Sequence, residues 1–220
     1  MSASDDTTGR HEFAVTDSRT VYDGAILALR VDEVTMPGDG SAKREVVEHH
    51  GAVAIVALDD SGAIATVTQY RHPVGRRLRE LPAGLMDSGG GESPLQAAQR
   101  ELVEEVGVEA DTWATLVDVA TSPGFTDEAL RVFRATDLRD VDRPEAHDEE
   151  ADMAIDWIPL DDAVAMVFSG EIVNVTSVAG ILALAHTERT GADLRGPDSE
   201  WVDQPTALDQ RHARRDSGGA

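Results

Sequence analysis

The feature that most constrains the fold is the segment SPLQAAQRELVEEVG at residues 93–107. Its apolar residues recur at helical spacing, at Leu95, Ala98, Leu102 and Val106, so one face of a helix here would be apolar. Pro94 suits the first helical turn, and Gly107 suits the residue that follows the last turn. The segment therefore predicts an amphipathic helix that buries one face against another part of the protein.

Short apolar segments on both sides of this helix have the composition and turn signals of β-strands. Before it lie FAVT, ILALRVDEV and REVVEH around the turn PGDGS, and then two apolar runs separated by DDSG. After it lie TLVDVATS, ALRVFRATDL and MAIDWIPL, followed by the helical patterns LDDAVAMVFSG and VTSVAGILALAHTERT. This order predicts an α/β (α+β) fold with a mixed β-sheet between helices and an N-terminal antiparallel β element.

The same patterns divide the chain into four parts. We expect a disordered N-terminus at residues 1–12 and the N-terminal β element at residues 13–48. The main domain then covers residues 49–190, and residues 191–220 have the polar composition of a loosely ordered tail. Chemistry is therefore expected in the main domain.

The chain is strongly acidic: 42 Asp and Glu residues stand against 19 Lys and Arg, a formal charge of −23. Such a surface repels nucleic acid and anionic membranes, so neither is an expected partner. The sequence has no cysteine, which excludes disulfides, thiolate metal sites and a cysteine nucleophile. It has no signal-like N-terminus and no apolar run long enough to span a bilayer, and we expect a cytoplasmic protein.

Three glutamates share one face of the predicted helix. At about 100° per residue, Glu101, Glu104 and Glu105 fall within an arc of roughly 100° beside the apolar face. Like charges this close are stabilised by a cation among them, and carboxylate oxygens are donors that Mg²⁺ and Mn²⁺ accept. For this spacing alone, a solvated Glu-rich helix face is the ordinary alternative.

The longer pattern around these glutamates resembles the Nudix box, Gx5Ex7REUxEExGU, in which U is aliphatic. Glu92 is followed, after seven residues, by RELVEEVGV at residues 100–108. A chance match of this length is on the order of one in a million per chain. The first glycine departs from the box, because Gly84 lies eight residues before Glu92 instead of six, so the loop containing SGGG holds two extra residues.

The resemblance implies a strand, loop and helix that together hold Mg²⁺ or Mn²⁺. Glu101 and Glu105 would be the principal ligands and catalytic residues, and Glu104 would be an additional or water-mediated ligand. The backbone carbonyl of Ala83 would also bind the metal, and Arg100 would orient the carboxylates. The implied chemistry is hydrolysis of a pyrophosphate bond.

Hydrolysis also needs a base that takes the proton of the attacking water. In the ADP-ribose pyrophosphatases of this family, a loop glutamate is that base, and the stretch HDEEAD at residues 147–152 occupies the corresponding place. We choose Glu150 over Glu149 for this catalytic role. From the sequence alone, a solvated acidic loop is the alternative.

A second motif points to the ADP-ribose pyrophosphatase subgroup. Pro123, in SPGFTDE, lies fifteen residues beyond the box and resembles the downstream proline that marks this subgroup. The segments REVVEHHGAVAIVAL and QYRHPVGRRLRELPAGLMD are also similar to it. The implied reaction converts ADP-ribose to AMP and ribose 5-phosphate.

The subgroup resemblance implies substrate contacts and a homodimer as well. Arg71 matches a substrate contact, Glu80 lies where the ribose or adenine portion binds, and Arg79 and Leu85 are placed with them. Arg44 resembles an arginine that contacts substrate across a dimer, which would make the N-terminal β element a dimerisation element. The alternative for each arginine is a surface ion pair.

Three alternatives to ADP-ribose hydrolysis stay open at this point. A Nudix enzyme of the same chemistry could act on another nucleotide sugar, on NADH or on a dinucleoside polyphosphate. A non-catalytic Nudix regulator that binds ADP-ribose is a second alternative, although such proteins commonly lack box glutamates that are all present here. The third is an acidic structural domain without activity.

Overall fold

The computed structural model describes residues 11–86, 91–144 and 152–217. The strands are β1 (Val15–Asp23), β2 (Leu27–Met36), β3 (Gly40–His49), β4 (Ala52–Ala57), β5 (Ala63–Arg71), β6 (Arg76–Glu80), β7 (Ala83–Leu85), β8 (Val108–Ala120), β9 (Ala129–Asp140) and β10 (Ala154–Pro159). The helices are α1 (Pro94–Val106), α2 (Leu160–Ser169), α3 (Val175–Thr190) and α4 (Ala207–Ser217). This content confirms the predicted α+β class.

The centre of the molecule is a four-stranded sheet with the order β7-β4-β9-β8. Strands β4 and β9 run parallel, whereas β7 and β8 are antiparallel to their neighbours, so the sheet is mixed as predicted. Every residue of β4 is buried. Because alternate residues of a strand face opposite sides, Val53 and Ile55 pack in one core cluster while Ala54 and Val56 pack in another.

Helices α1 and α3 cover these two sides of the sheet. α1 contributes Ala97, Ala98 and Leu102 to the first cluster, and α3 contributes Ile181 and Leu184 to the second. Burying a large aliphatic side chain in this way stabilises the fold by about 1.5–3 kcal/mol. The sheet is therefore held between helices, and α1 is fixed against it by the apolar face that the sequence predicted.

A second, antiparallel sheet has the order β10-β5-β6. The sequence pattern did not predict β6 or β7. β6 is RRLRE, with one aliphatic residue, and β7 has only three residues, so neither shows the apolar alternation typical of strands. They are strands because they pair with β5 and β4.

The N-terminal segment forms a third sheet with the order β1-β2-β3, antiparallel throughout. The β2–β3 hairpin turns at the predicted PGDGS segment. All nine residues of β1 are exposed, and Phe13, Val15, Val21 and Tyr22 are exposed apolar or aromatic side chains on or beside it. The antiparallel β element is thus present, and its part in a dimer stays a prediction.

The C-terminal segment differs from the loosely ordered tail that its composition predicted. Residues 191–217 include α4, and Trp201 and Leu208 are buried. Arg211 donates two hydrogen bonds to Glu48 on β3. Average polarity did not reveal this packing, because a few apolar and charged side chains suffice to hold the segment. Residues 1–10 of the predicted disordered N-terminus lie outside the described residues.

None of the helices in the described ranges is both long and apolar enough to cross a membrane.

Candidate active site

Caps at both ends define helix α1. The Ser93 hydroxyl accepts a hydrogen bond from the Gln96 backbone N–H at 3.2 Å, and the Gln96 side chain accepts one from the Ser93 N–H at 2.9 Å. Pro94 begins the helix, and Gly107 ends it with a left-handed φ of 77°. The Ser93 and Gln96 side chains satisfy backbone donors at the helix start, and the Gly107 N–H donates to the Val103 carbonyl at its end. The helix predicted for residues 93–107 is confirmed.

Two glutamates of α1, Glu101 and Glu104, and Glu92 before the helix contact one arginine, Arg100. Glu101 and Glu105 are buried, and Glu104 is half-buried. Arg100 Nη1 donates to Glu101 Oε1 at 2.6 Å and to Glu104 Oε2 at 3.0 Å, while its Nε donates to Glu92 Oε1 at 2.9 Å. Buried carboxylates are costly without such partners, so Arg100 stabilises and orients the buried Glu101 carboxylate.

The carboxylates in turn fix the charge of Arg100. Its hydrogen bond to Glu92 is the main cause that raises the pKa of the guanidinium above its ordinary value; burial acts against this rise, and Glu101 and Glu104 add to it. Arg100 Nη2 also donates to the backbone oxygen of Leu85 at 3.1 Å. A permanent positive charge therefore ties the carboxylates to β7.

Strand β7 touches the same carboxylates through its backbone. The Ala83 N–H donates to Glu105 Oε2 at 2.9 Å. A Cβ added to Gly84 would lie 2.0 Å from the carboxyl carbon and Oε1 of Glu101, so only glycine fits at this position. The first glycine of the box thus lets a helix carboxylate rest against the strand. The contact is kept despite the two extra residues between Gly84 and Glu92.

The donors on this face fit a hard divalent cation. Glu101, Glu104 and Glu105 offer carboxylate oxygens, the ligands that Mg²⁺ and Mn²⁺ prefer. Across residues 11–86, 91–144 and 152–217, no three His, Asp or Glu side chains converge on one point, and Arg100 bridges Glu101 and Glu104 instead. The fit therefore rests on donor chemistry and on the close approach of β7.

A cavity of about 760 Å³ adjoins β7. Ala83, Gly84 and Leu85 form part of its wall, and Arg71 and Glu80 form another part. Arg71 Nη2 donates to Glu80 Oε2 at 2.7 Å, and its Nε donates to both carboxylate oxygens at 3.2 Å. Only 2% of Glu80 is exposed. A buried carboxylate thus holds the Arg71 guanidinium in a forked pair at a cavity that shares β7 with the carboxylate face.

Arg79, predicted to bind substrate, lies away from the cavity. It alternates along β6 with Leu78 and Glu80, which line the cavity, so its side chain faces the other side of the strand. There its Nη1 donates to Thr66 Oγ1 at 3.1 Å and to Asp156 Oδ2 at 2.8 Å. Arg79 therefore joins strands of the second sheet within one chain, and its part in substrate binding stays a prediction.

Arg44, also predicted to contact substrate, is exposed on β3 and is not among the residues that line the cavity. Its Nη1 donates to the Lys43 carbonyl at 2.9 Å, and its Nη2 lies 3.7 Å from the Met36 sulfur. Within a single chain, the structure does not bring Arg44 to the site. A contact with the substrate of a second chain stays a prediction.

The predicted catalytic base, Glu150, and its alternative, Glu149, lie outside the described residues. The described chain ends at residue 144 before this stretch and resumes at Asp152. Asp152 forms an ion pair with Arg77 on β6. The role of Glu150 therefore stays a prediction.

Sequence reasoning missed a polar part of the cavity wall. His49, Thr121 and Glu128 line it together, with Glu128 hydrogen-bonded to the Thr121 hydroxyl and 3.7 Å from His49 Nδ1. Thr121 follows β8 and Glu128 precedes β9. Polar residues at the ends of two paired, largely apolar strands are a signal that could have indicated this wall. Asn174, which caps α3, also lines the cavity.

Comparison with known proteins agrees with the box and the fold. The family model described as NUDIX domain matches residues 48–174. The chain is 57% identical over 206 residues to the ADP-ribose pyrophosphatase of Mycobacterium tuberculosis (strain ATCC 25618 / H37Rv), covering 93% of this chain and 99% of that protein. It is 36% identical over 161 residues to the ADP-ribose pyrophosphatase of Bacillus subtilis (strain 168), covering 73% and 86%.

A solved structure shares the fold. The crystal structure of an ADP compounds hydrolase superposes with a TM-score of 0.73 and 18% identity, covering 84% of this chain and 99% of the other. At this identity the likeness concerns the fold alone. The match of the family model to more than half of the chain, with the intact carboxylate helix, establishes that this chain belongs to the Nudix family.

Proposed function

We propose that this protein hydrolyses the pyrophosphate bond of ADP-ribose to AMP and ribose 5-phosphate, with Mg²⁺ or Mn²⁺. The observation that carries the proposal is that strand β7 contacts both the carboxylate face of α1 and the cavity. The backbone of β7 contacts the buried glutamates of α1, and the same strand lines the cavity that holds Arg71. The mycobacterial ADP-ribose pyrophosphatase that is 57% identical to this chain supports ADP-ribose as the substrate.

The helix carboxylates are proposed to act through a divalent cation. When bound, such an ion neutralises the diphosphate oxygens and acidifies a water molecule. Glu101 and Glu105 would hold it, with Glu104 as an additional ligand and the Ala83 carbonyl as a backbone ligand. Arg100 keeps the Glu101 and Glu104 carboxylates oriented by its hydrogen bonds.

The cavity residues are proposed to hold the substrate. A guanidinium offers N–H donors in a fixed fork that matches phosphate oxygens, and Arg71 presents one at the cavity wall. Glu80 is buried against Arg71, so we assign it first to fixing that guanidinium. Leu85 is partly exposed on the wall and offers an apolar contact to the nucleoside.

The substrate is tested by incubating the protein with ADP-ribose, NADH, ADP-glucose and diadenosine polyphosphates, each with Mg²⁺ and with Mn²⁺, and by measuring AMP. We expect the highest kcat/KM for ADP-ribose and no AMP without the metal. A higher kcat/KM for another nucleotide sugar would establish the alternative substrate class. Binding of ADP-ribose without any AMP release would establish the non-catalytic regulator.

We propose Glu150 as the base that takes the proton from the attacking water. The matched pair Glu150→Gln and Glu149→Gln distinguishes the two candidates, since each change removes one charge from the same stretch. Glu150→Gln should lower kcat by about 10²–10⁴-fold, with little change from Glu149→Gln. The reverse pattern would transfer the role to Glu149, and two nearly unaffected variants would exclude both.

We also propose a homodimer built on the N-terminal sheet. The support is its exposed apolar side chains, including Phe13, Val15 and Tyr22, since contiguous exposed apolar surface is typical of protein interfaces. Deleting residues 13–48 should abolish the dimer in light scattering together with AMP release. A truncated monomer with full activity would contradict the proposal. A cytoplasmic location stays a prediction.

A further inference from the structure

We propose that residues 199–211 form a C-terminal clamp that positions one wall of the active site, with Trp201 as its main positioning residue. The C-terminal clamp lies beyond residues 48–174, the part that the family model matches. Composition marked it as a loose tail, yet Trp201, Pro205 and Leu208 are buried. The reaction that it affects is the proposed one, so this inference rests on the proposed function.

The C-terminal clamp holds the end of β3 and the first residue after it, on both sides of a cavity residue. Arg211 Nε donates to Glu48 Oε2 at 2.7 Å, and its Nη2 donates to Glu48 Oε1 at 2.9 Å. His50 Nδ1 lies 2.5 Å from Asp209 Oδ1. Glu48 and His50 are both buried, and His49 between them lines the cavity. Movement of the C-terminal clamp would therefore displace His49.

The next residue, Gly51, is surrounded by side chains of the C-terminal clamp and by Met86. A Cβ at Gly51 would lie 3.4 Å from Met86 Sδ, 3.5 Å from Pro205 Cδ and 3.6 Å from Trp201 Cη2. Gln204 Nε2 lies 3.8 Å from the same sulfur. Trp201 and its neighbours thus pack on the backbone of Gly51 and on the side chain of Met86.

This contact lies at the end of β7. The Met86 N–H donates to the Gly51 oxygen at 2.9 Å, which extends the β4–β7 pairing one step beyond Ala52 and Leu85. Because β7 has only three residues, its position depends strongly on what holds this end. The opposite end, Ala83, donates to Glu105 and thereby meets the carboxylate face.

A buried arginine fixes the indole that makes this contact. The Arg131 guanidinium carbon lies 5.2 Å from the centre of the Trp201 ring, within cation–π range. Arg131 also donates to the backbone oxygens of Ser199 at 2.6 Å and Glu200 at 2.9 Å. Arg131 therefore binds the C-terminal clamp close to the point where it meets Gly51 and Met86, as a positioning element requires.

The test is Trp201→Phe, which removes the outer part of the indole, including Cη2, and keeps an aromatic ring beside Arg131. We expect kcat for ADP-ribose to fall about tenfold with KM within twofold, because small misplacements of groups that act on the reaction lower turnover. Hydrogen exchange of the β7 amides, Ala83 to Leu85, should become faster at the same time. Pro205→Ala, a milder change at the same contact, should give smaller shifts in the same direction if the first variant folds poorly.

Two control variants separate positioning from general destabilisation. Val202→Ala alters an 81% exposed neighbour of Trp201 and should behave as the unmodified protein. Ile158→Val removes a methyl group from the core at β10 and should lower the melting temperature while kcat and β7 exchange are unchanged.

The outcomes are distinct. Trp201→Phe with unchanged kcat and unchanged β7 exchange would overturn the inference, as would an equal loss of kcat in Ile158→Val at a matched melting temperature. If the unmodified protein releases no AMP from ADP-ribose, the proposed function fails. The β7 exchange rates then still decide whether the C-terminal clamp holds β7.

Discussion

Two arginines organise charge inside this protein, and their partners differ. Arg100 on α1 contacts the carboxylates of three glutamates and one backbone oxygen. Arg131 on β9 contacts one carboxylate, that of Asp118, and two backbone oxygens of the C-terminal segment. The side chain of Arg100 is 34% exposed, whereas that of Arg131 is 2% exposed.

The difference lies in the balance of charge and in access. Around Arg100, carboxylates outnumber the guanidinium three to one at a face that adjoins β7, and such an excess suits a cation. Around Arg131 the single carboxylate is shared with a second arginine, Arg195, whose Nη1 lies 2.8 Å from Asp118 Oδ2. The first cluster is therefore suited to chemistry, and the second holds the fold together.

The strongest test of the carboxylate face of α1 is Glu105→Gln, at a buried glutamate that accepts a hydrogen bond from the Ala83 N–H of β7. Loss of a proposed metal ligand should lower kcat for ADP-ribose on the order of 10⁴-fold, or about 5.5 kcal/mol of barrier. The melting temperature should stay the same or rise, because one of several neighbouring negative charges is removed. AMP release and thermal unfolding measure the two effects.

The matched control for that variant is Glu109→Gln on β8, where the glutamate forms an exposed ion pair with Arg139. It should keep both activity and stability, since surface pairs contribute little. Retention of activity by Glu105→Gln would show that Glu105 is not a required metal ligand.

The second test is Arg131→Met, which keeps an unbranched apolar side chain and removes the guanidinium. It leaves Asp118 and two backbone oxygens of the C-terminal segment without this partner, and the free energy of unfolding should fall by about 3–5 kcal/mol. Urea unfolding measures the loss. Arg195→Met, at a half-exposed partner of the same carboxylate, should cost less than about 1 kcal/mol. If both variants lose the same free energy of unfolding, the exposed Arg195 contact stabilises the fold as much as the buried Arg131 contacts do, which would contradict this prediction.

The two clusters also explain what the sequence could predict. The Arg100 cluster lies mostly on one helix, where spacing alone brings Arg100, Glu101 and Glu104 together, and the caps at Ser93 and Gly107 are local signals. Arg131, by contrast, meets Asp118 across 13 residues of sequence and Ser199 across 68. No spacing rule reaches that far, so the C-terminal segment was expected to be loose.

The cavity, too, combines residues that the sequence could indicate with residues that only tertiary pairing brings there. β6 and β7 take their strand conformation from their partners, so their local sequence could not reveal which residues face the cavity. Arg71 was placed there by resemblance, and the structure brings it to the wall. Arg79 was placed there too, but the alternation of β6 sends it to Asp156 on the other side. If β6 had been predicted as a strand, its alternation would have placed Leu78 and Glu80 on the cavity side and Arg79 on the opposite side.

The third and smallest effect concerns pH and the Arg131 cluster. Burial acts to raise the pKa of Asp118, but hydrogen bonds and charge from Arg131 and Arg195 outweigh it, so the pKa is lowered overall. A carboxyl with a lowered folded-state pKa stabilises the fold above its unfolded pKa of about 3.9, and this contribution is lost as pH falls through the folded-state pKa. Asp118→Asn should therefore destabilise the protein near pH 6, and the loss should be smaller below pH 4.

Asp127 offers a control of opposite sign. Burial raises its pKa, with the charge of Glu48 adding to the rise, against the hydrogen bond from the His49 N–H. A raised folded-state pKa gives stability below the unfolded pKa that is lost as pH rises through the folded value. Relative to the unmodified protein, Asp127→Asn should therefore gain stability as pH rises, while Asp118→Asn should lose it. Urea unfolding of both variants between pH 3 and 7 measures how each stability difference from the unmodified protein changes with pH. If both differences change in the same direction, Arg131 and Arg195 do not lower the pKa of Asp118 as described.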